Sequence, residues 1–243
     1  MSSERALRAA LAAGATLLAG CRGGAQPHGP AASPSPVPAS IAAAPRPACD
    51  VRGGIPAGAE LVDVTRVDPT IRTDIRYATA NNFTGRPLPG YESARALMRP
   101  GAARALARVQ ARLRPQGLGL KVFDAYRPIR ATLAMVEWAG RTGNGWVLEQ
   151  GYVARYSGHN RGNTVDLTLV DLDTGRELEM GTAYDTFSEA AHTANATGQV
   201  MENRMRLQRA IGAEGFQPYD QEWWHFRLSG DAEPLDYPIA CYP

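Results

Sequence analysis

Lysine is almost missing from this 243-residue chain. Of its 26 basic residues only Lys121 is a lysine, and the formal net charge is +2. No stretch gathers the basic side chains into a stripe, which argues against a nucleic-acid partner. Histidine is also scarce, with four in all, and there are three cysteines. No Gly-x-Ser-x-Gly elbow occurs, so the serine chemistry of an α/β-hydrolase has no support. No His-Glu-x-x-His helix occurs, which removes the zincins. No glycine-rich loop of the kind that cradles phosphates stands out.

What remains is an ordinary globular composition, 44% hydrophobic and 21% charged. The length suits one substantial domain with its own core. The ends of the chain read differently. Arg5 and Arg8 precede a small apolar run, Ala9 to Gly20, too short to span a bilayer and of signal-peptide length. It closes Leu18-Ala19-Gly20-Cys21, which is similar to a bacterial lipobox with Cys21 as the lipidated residue. Residues 21–47 are rich in Pro, Ala, Gly and Ser and read as a tether, with His28 as a solvated bystander. The expected organisation is therefore a lipoprotein signal at 1–20, a tether at 21–47 and a domain at 48–243. The expected location is outside the cytoplasm, on a bacterial membrane, facing the periplasm. With Cys21 lipidated, Cys49 and Cys241 remain as an even pair, and export makes a disulfide between them the natural reading.

Within the domain, Leu61–Val64 and Ile71–Tyr77 read as short strands, and Asn81–Gly90 as loop. Ala102, Leu106, Val109 and Leu113 recur at helical spacing after Pro100, with Arg104, Arg108 and Arg112 outside. Leu118–Phe123 alternates as a strand. Arg127 follows it at a strand-to-helix turn, where functional side chains often sit. Pro128 suits the first helical position, and Ile129, Leu133 and Val136 would line the inner face of that helix. In the strand around Val165–Val170, Val165, Leu167 and Leu169 face one way and Asp166 the other. A last helix uses Met201, Met205, Leu207, Ala210 and Ile211, and a strand near Trp224–Leu228 ends the fold. Helices and strands mix without regular βαβ alternation, which favours α+β.

Two short blocks carry the chemistry: Ser157-Gly158-His159-Asn160-Arg161-Gly162-Asn163-Thr164-Val165-Asp166, and Glu222-Trp223-Trp224-His225. Two imidazoles and a carboxylate can hold a zinc ion and leave its fourth position open. A second carboxylate beside that position can accept a proton from water. Each residue alone also fits ordinary hydrogen bonding, so the grouping is what favours a metal. One tension is visible. In a regular strand, positions 222 and 225 face opposite sides, so Glu222 must precede the strand or a bulge must intervene. Trp223 and Trp224 would be apolar walls.

These blocks resemble the zinc D-alanyl-D-alanine dipeptidases, VanX-type enzymes of the hedgehog/DD-peptidase fold. Tyr77-Ala78-Thr79, Asn82-Phe83-Thr84-Gly85, Asp124-Ala125-Tyr126-Arg127-Pro128 and Met180-Gly181-Thr182-Ala183-Tyr184-Asp185 also look like family blocks in family order. The resemblance implies one α+β domain with a small central antiparallel sheet flanked by helices. It implies one Zn2+ per chain on His159, Asp166 and His225, with Glu222 as the base and Arg127 at the oxyanion. It places Ser157 at the substrate carboxylate and Tyr77 and Asp185 near its amino group. His192 would be structural or support the site from behind. Thr164 departs from the family pattern, standing where many relatives carry Ala.

The expected function is zinc-dependent hydrolysis of D-Ala-D-Ala, a small dipeptide, in cell-wall turnover or salvage. A D,D- or L,D-carboxypeptidase of the same fold is the nearest rival. A zinc-containing wall-binding module without catalysis is the rival of another class, and Glu222 speaks against it.

Overall fold

The computed structural model describes residues 54–243. The expected signal, tether, Cys21, His28 and Cys49 lie outside the described residues. Among the described residues no helix is long and apolar enough to cross a membrane.

The chain opens with a two-residue strand, β1 (Val62–Asp63), and one helical turn, α1 (Val64–Val67). The strand expected over Leu61–Val64 is thus cut short. Asp63 Oδ1 accepts the backbone N–H of Thr65 at 2.9 Å, so an N-cap starts a helix where alternation suggested more strand. Ile71–Tyr77 is likewise only part strand: β2 (Arg72–Thr73) is followed by a 3-10 turn over Arg76–Ala78. After the loop come β3 (Leu97–Met98), which pairs with β1, and α2 (Pro100–Leu113). Pro100 starts α2 as expected. Ala102, Leu106, Val109 and Leu113 are buried, and Arg104, Arg108 and Arg112 are exposed.

β4 (Leu118–Asp124) leads into α3 (Ile129–Arg141), with Pro128 at the N-cap rather than inside the helix. The buried face of α3 is not the expected one. Leu133 is 58% exposed, while Ala131, Thr132, Ala134, Met135 and Ala139 are buried. Small residues let the helix backbone lie close to its neighbours, and that contact outweighs burying the scattered larger side chains.

A short α4 (Trp146–Glu149) and a long loop precede β5 (Thr164–Asp171), which is buried on both faces except at its last residue. α5 (Gly198–Gly212), β6 (Phe216–Tyr219) and β7 (Glu222–Leu228) complete the core. β6 was not expected. Met201 and Met205 are only half-buried, and α5 instead buries Asn203, Arg204, Leu207, Ala210 and Ile211.

The main sheet has the order β2-β4-β5-β7-β6. Every pairing is antiparallel except β2 with β4. This is an α+β domain whose sheet is mixed at one edge. Two irregularities prepare the site. Between Val122 and Asp124, β4 inserts Phe123 against β5, so Asp124 comes to lie opposite Asp166. Between β6 and β7, Pro218 pairs with Phe226 but Tyr219 pairs with Glu222, so β7 bulges over Trp223–His225.

Candidate metal centre

His159, Asp166 and His225 converge as the sequence suggests. Asp166 and His225 are direct cross-strand partners on β5 and β7, and partners in a ladder point to the same face. His159 comes from a 3-10 turn, Gly158–Arg161, just before β5. Ser157 caps that turn: its Oγ accepts the His159 N–H at 3.2 Å, and the Ser157 N–H donates to Asn160 Oδ1 at 3.2 Å. Gly162 ends it at φ +74°, where a Cβ would also lie 2.7 Å from the Leu61 side chain. Thr164 shapes the same turn, because a Cβ on Gly158 would meet its Oγ1 at 2.7 Å.

The three donor atoms form a nearly equilateral triangle. His159 Nε2 lies 3.3 Å from His225 Nδ1 and 3.3 Å from Asp166 Oδ1, and His225 Nδ1 lies 2.9 Å from Asp166 Oδ1. Zinc bonds of about 2.0–2.1 Å in a tetrahedron imply ligand-to-ligand edges of about 3.3 Å. The hydrogen bonding agrees. Despite its close neighbours, Asp166 Oδ1 is buried and accepts no hydrogen bond among the described residues. His159 Nδ1 donates to Ala125 O at 2.6 Å, which leaves Nε2 as the free lone pair facing the triangle. Three lone-pair donors aimed at one point, one of them an otherwise orphaned carboxylate oxygen, suit a zinc ion.

Glu222 is buried with its Oε2 3.6 Å from His225 Nδ1. The β7 bulge resolves the tension seen in the sequence, since it brings positions 222 and 225 together inside one strand. Burial pushes the Glu222 carboxyl well up, and repulsion from Asp166 and Asp185 adds to it. Burial also raises Asp166, but the two imidazoles beside it outweigh that and hold its carboxyl well below the usual range.

Arg127 is buried, and its Nε and Nη2 both donate to Asp124 Oδ2, at 2.9 and 2.8 Å. Its guanidinium lies over the Tyr77 ring at 4.9 Å and its Nη2 reaches to 3.9 Å from Asp166 Oδ2. Asn160, which sequence reasoning passed over, ties this corner to the histidine turn: its Nδ2 donates to Arg127 O at 2.8 Å and to Thr132 Oγ1 at 2.9 Å.

A cleft of about 250 Å3 collects these groups. Arg127, Ser157, Tyr77, Asp185, Glu222 and the triangle all line it. Trp224 is a wall as expected. Trp223 is not, for its indole N–H turns away to Thr182 Oγ1 at 2.9 Å. His192 stays out of the triangle and pairs with the Tyr152 hydroxyl at 3.0 Å.

At the far wall, the Tyr77 O–H donates to Asp185 Oδ1 at 3.0 Å, while Asp185 Oδ2 is buried and unpartnered among the described residues. Asp185 is also the one non-glycine described residue at positive φ, +61°, a strained backbone that packing must hold. Burial, then repulsion from Asp166, pushes its carboxyl up to about 8. Asp166, Asp185 and Glu222 line the cleft with a single guanidinium, that of Arg127, and the buried Asp124 behind it takes most of that charge. Burial and mutual repulsion push Glu222 and Asp185 up, and a divalent cation with one further cationic group would relieve that repulsion.

The cleft lies within a region that matches a family model. Peptidase_M15, described as D-ala-D-ala dipeptidase, matches residues 57–243. A D-alanyl-D-alanine dipeptidase of Enterococcus faecalis is 37% identical over 182 residues, covering 69% of this chain and 90% of the relative. One from Streptomyces coelicolor is 38% identical over 188 residues, covering 70% and 93%. One from Escherichia coli is 34% identical over 184 residues, covering 75% and 90%.

Proposed function

Because this chain belongs to the D-Ala-D-Ala dipeptidase family, Peptidase_M15, we propose that it is a zinc metallopeptidase that hydrolyses D-Ala-D-Ala, with His159, Asp166 and His225 holding one Zn2+. The observation that carries this is the donor triangle with the buried Glu222 carboxyl at its edge, 3.6 Å from His225 Nδ1, and the buried Oδ2 of Asp185 at the far wall of the same cleft. Zinc bound there supplies Lewis acidity, polarising the scissile carbonyl and making water acidic enough to yield its proton near neutral pH.

The chain's own residues do the rest. Glu222, its proton affinity raised by burial, takes the proton from the attacking water as the new C–O bond forms. It then gives that proton to the departing nitrogen as the C–N bond breaks. The Arg127 guanidinium, locked by Asp124, meets the charge that grows on the carbonyl oxygen. Asp185 and Tyr77 receive the substrate ammonium, and Ser157 meets its carboxylate at the opposite end. An enzyme that cuts a free dipeptide needs an anionic wall at one end, and an N-acylated substrate offers that wall no positive charge.

The deciding experiment compares D-Ala-D-Ala with its N-acetyl form on the purified, zinc-loaded chain. Cleavage of the free dipeptide with strong discrimination against the acylated form is expected. Preference for the acylated form would make the enzyme a carboxypeptidase, and cleavage of neither would leave a binding module.

The same reading extends to location. Leu18-Ala19-Gly20-Cys21 and the Pro/Ala-rich segment support export with a lipid on Cys21, hence a membrane-tethered enzyme in the periplasm that acts on wall-derived dipeptide in turnover or salvage. Retention of radiolabelled palmitate by the wild type and its loss in Cys21→Ala tests the anchor. A Cys49–Cys241 disulfide fits this compartment. Arg95 already pins the last residues, donating to the carbonyls of Ile239, Tyr242 and Pro243. Non-reducing peptide mapping checks the crosslink.

A further inference from the structure

Tyr184 belongs to no role assigned so far, yet it touches both ends of the cleft. Its hydroxyl lies 3.0 Å from Asp166 Oδ2 and 3.1 Å from the Tyr77 hydroxyl, whose own proton goes to Asp185. It is the one hydrogen-bond donor to Oδ2 among the described residues, because Arg127 Nη2, at 3.9 Å, is beyond reach. The ring is fixed on two sides. It stacks on Phe123 at 4.8 Å and meets Trp224 edge-on at 5.4 Å.

We propose that Tyr184 is a positioning residue for the metal-ligand carboxylate: by fixing Oδ2 of Asp166 it leaves Oδ1 alone facing His159 and His225. This rests on the reading of that triangle as a zinc site. A free carboxylate can rotate about its last torsion, present either oxygen or both, and widen the ligand set. A rigid donor on one oxygen removes that freedom before the metal arrives. The donor set then stays at three, with the open fourth position that hydrolysis requires. Donors that hold a ligating carboxylate typically change metal affinity or activity 10- to 100-fold when removed. Phe123 takes part through the β4 bulge: as the inserted residue it supplies the surface on which the tyrosine ring rests.

The test is Tyr184→Phe, which keeps the ring and its packing and removes only the hydroxyl. Zinc affinity is measured by competition with a chromophoric chelator, and folding by the melting temperature of chelator-treated protein. We expect zinc binding to weaken roughly 10- to 100-fold, with the melting temperature of the metal-free protein held within a few degrees. Tyr77→Phe, which leaves the Tyr184–Asp166 bond in place, should raise KM while changing zinc affinity less than threefold. A second measurement needs no stable variant: with tyrosine 13Cζ labelling of the wild type, the Tyr184 resonance should shift as zinc is added. Unchanged zinc affinity in Tyr184→Phe, or a resonance indifferent to zinc, would overturn the proposal while leaving the zinc site intact. Wild-type protein that fails to bind zinc would overturn both.

Discussion

Asp166 and His225 face each other across β5 and β7, with Asp166 Oδ1 2.9 Å from His225 Nδ1. They are fifty-nine positions apart in the chain, and one step of a strand ladder joins them. The same row continues to Asp124 on β4. Asp124 holds Arg127, Asp166 belongs to the donor triangle, and His225 completes it, so one line of the sheet aligns the groups that would meet the carbonyl oxygen. A sheet holds such groups more rigidly than loops, which suits a site that depends on preorganised charge.

Glu222→Gln removes the proton acceptor and nothing from the triangle. Zinc content, measured by metal analysis after gel filtration, should match the wild type. The kcat should fall by roughly 10²- to 10⁴-fold, the usual share of a general base. Near-normal turnover in the zinc-replete variant would exclude Glu222 from proton transfer.

Asp185→Asn keeps the shape of the far wall and removes its charge. Its buried Oδ2 has no partner among the described residues, so a substrate ammonium is its natural complement. KM for D-Ala-D-Ala should rise roughly 10- to 100-fold, as expected when a charged hydrogen bond is lost. Activity on N-acetyl-D-Ala-D-Ala should change much less, so the ratio of kcat/KM values narrows. A ratio unchanged from wild type would mean that the amino end is read elsewhere.

The residue patterns made the site easier to read than the fold around it. His159, Asp166, Glu222 and His225 stand in compact blocks with chemistry of their own, and all four meet in the cleft. Alternation and helical spacing also located α2, β4, β5 and β7. What escaped was set by tertiary contact. Leu133 looked like core but faces solvent, because α3 packs through its alanines. Arg204 is outside the face expected for the last helix, yet it is buried, because the loop carbonyls of Met180, Ala190 and His192 surround it. The spacing of Glu222 and His225 left a choice between a preceding loop and a bulge, and pairing with β6 decides for the bulge. Tyr184 could have been found: a tyrosine beside Asp185, inside a recognisable block, offers a donor next to two carboxylates.

Arg204→Met tests a support that lies away from the chemistry. Arg204 is 2% exposed and donates to the carbonyls of Met180, Ala190 and His192, closing the segment that carries Tyr184 and Asp185 onto α5. Burial lowers its pKa, yet with no carboxylate needed its charge is spread over carbonyl dipoles. Methionine fills similar space but leaves three acceptors without their donor. The loss should be about 2–4 kcal/mol, seen as a clear drop in the denaturation midpoint with the m-value unchanged. The variant should also raise KM for the dipeptide, because the strained Asp185 relies on this segment for its backbone conformation.

The pH dependence of stability isolates Asp185. In the metal-free folded protein its carboxyl titrates at about 8, well above its value in an unfolded chain, because it is buried beside Asp166. Between about pH 4 and pH 8 the folded state therefore binds a proton that the unfolded state has released. Stability is greatest below the unfolded pKa and falls as pH rises through this window, by up to about 1.4 kcal/mol per pH unit from this one group. Other buried carboxyls add slopes of their own, so the informative quantity is a difference. Denaturant midpoints of chelator-treated wild type and Asp185→Asn are compared at pH 5, 6, 7 and 8. The wild type should lose stability more steeply, with the gap between the curves changing in favour of the variant as pH rises. Parallel curves would mean that Asp185 ionises in the folded protein as it does in water, and that its burial is relieved by some partner or solvent path.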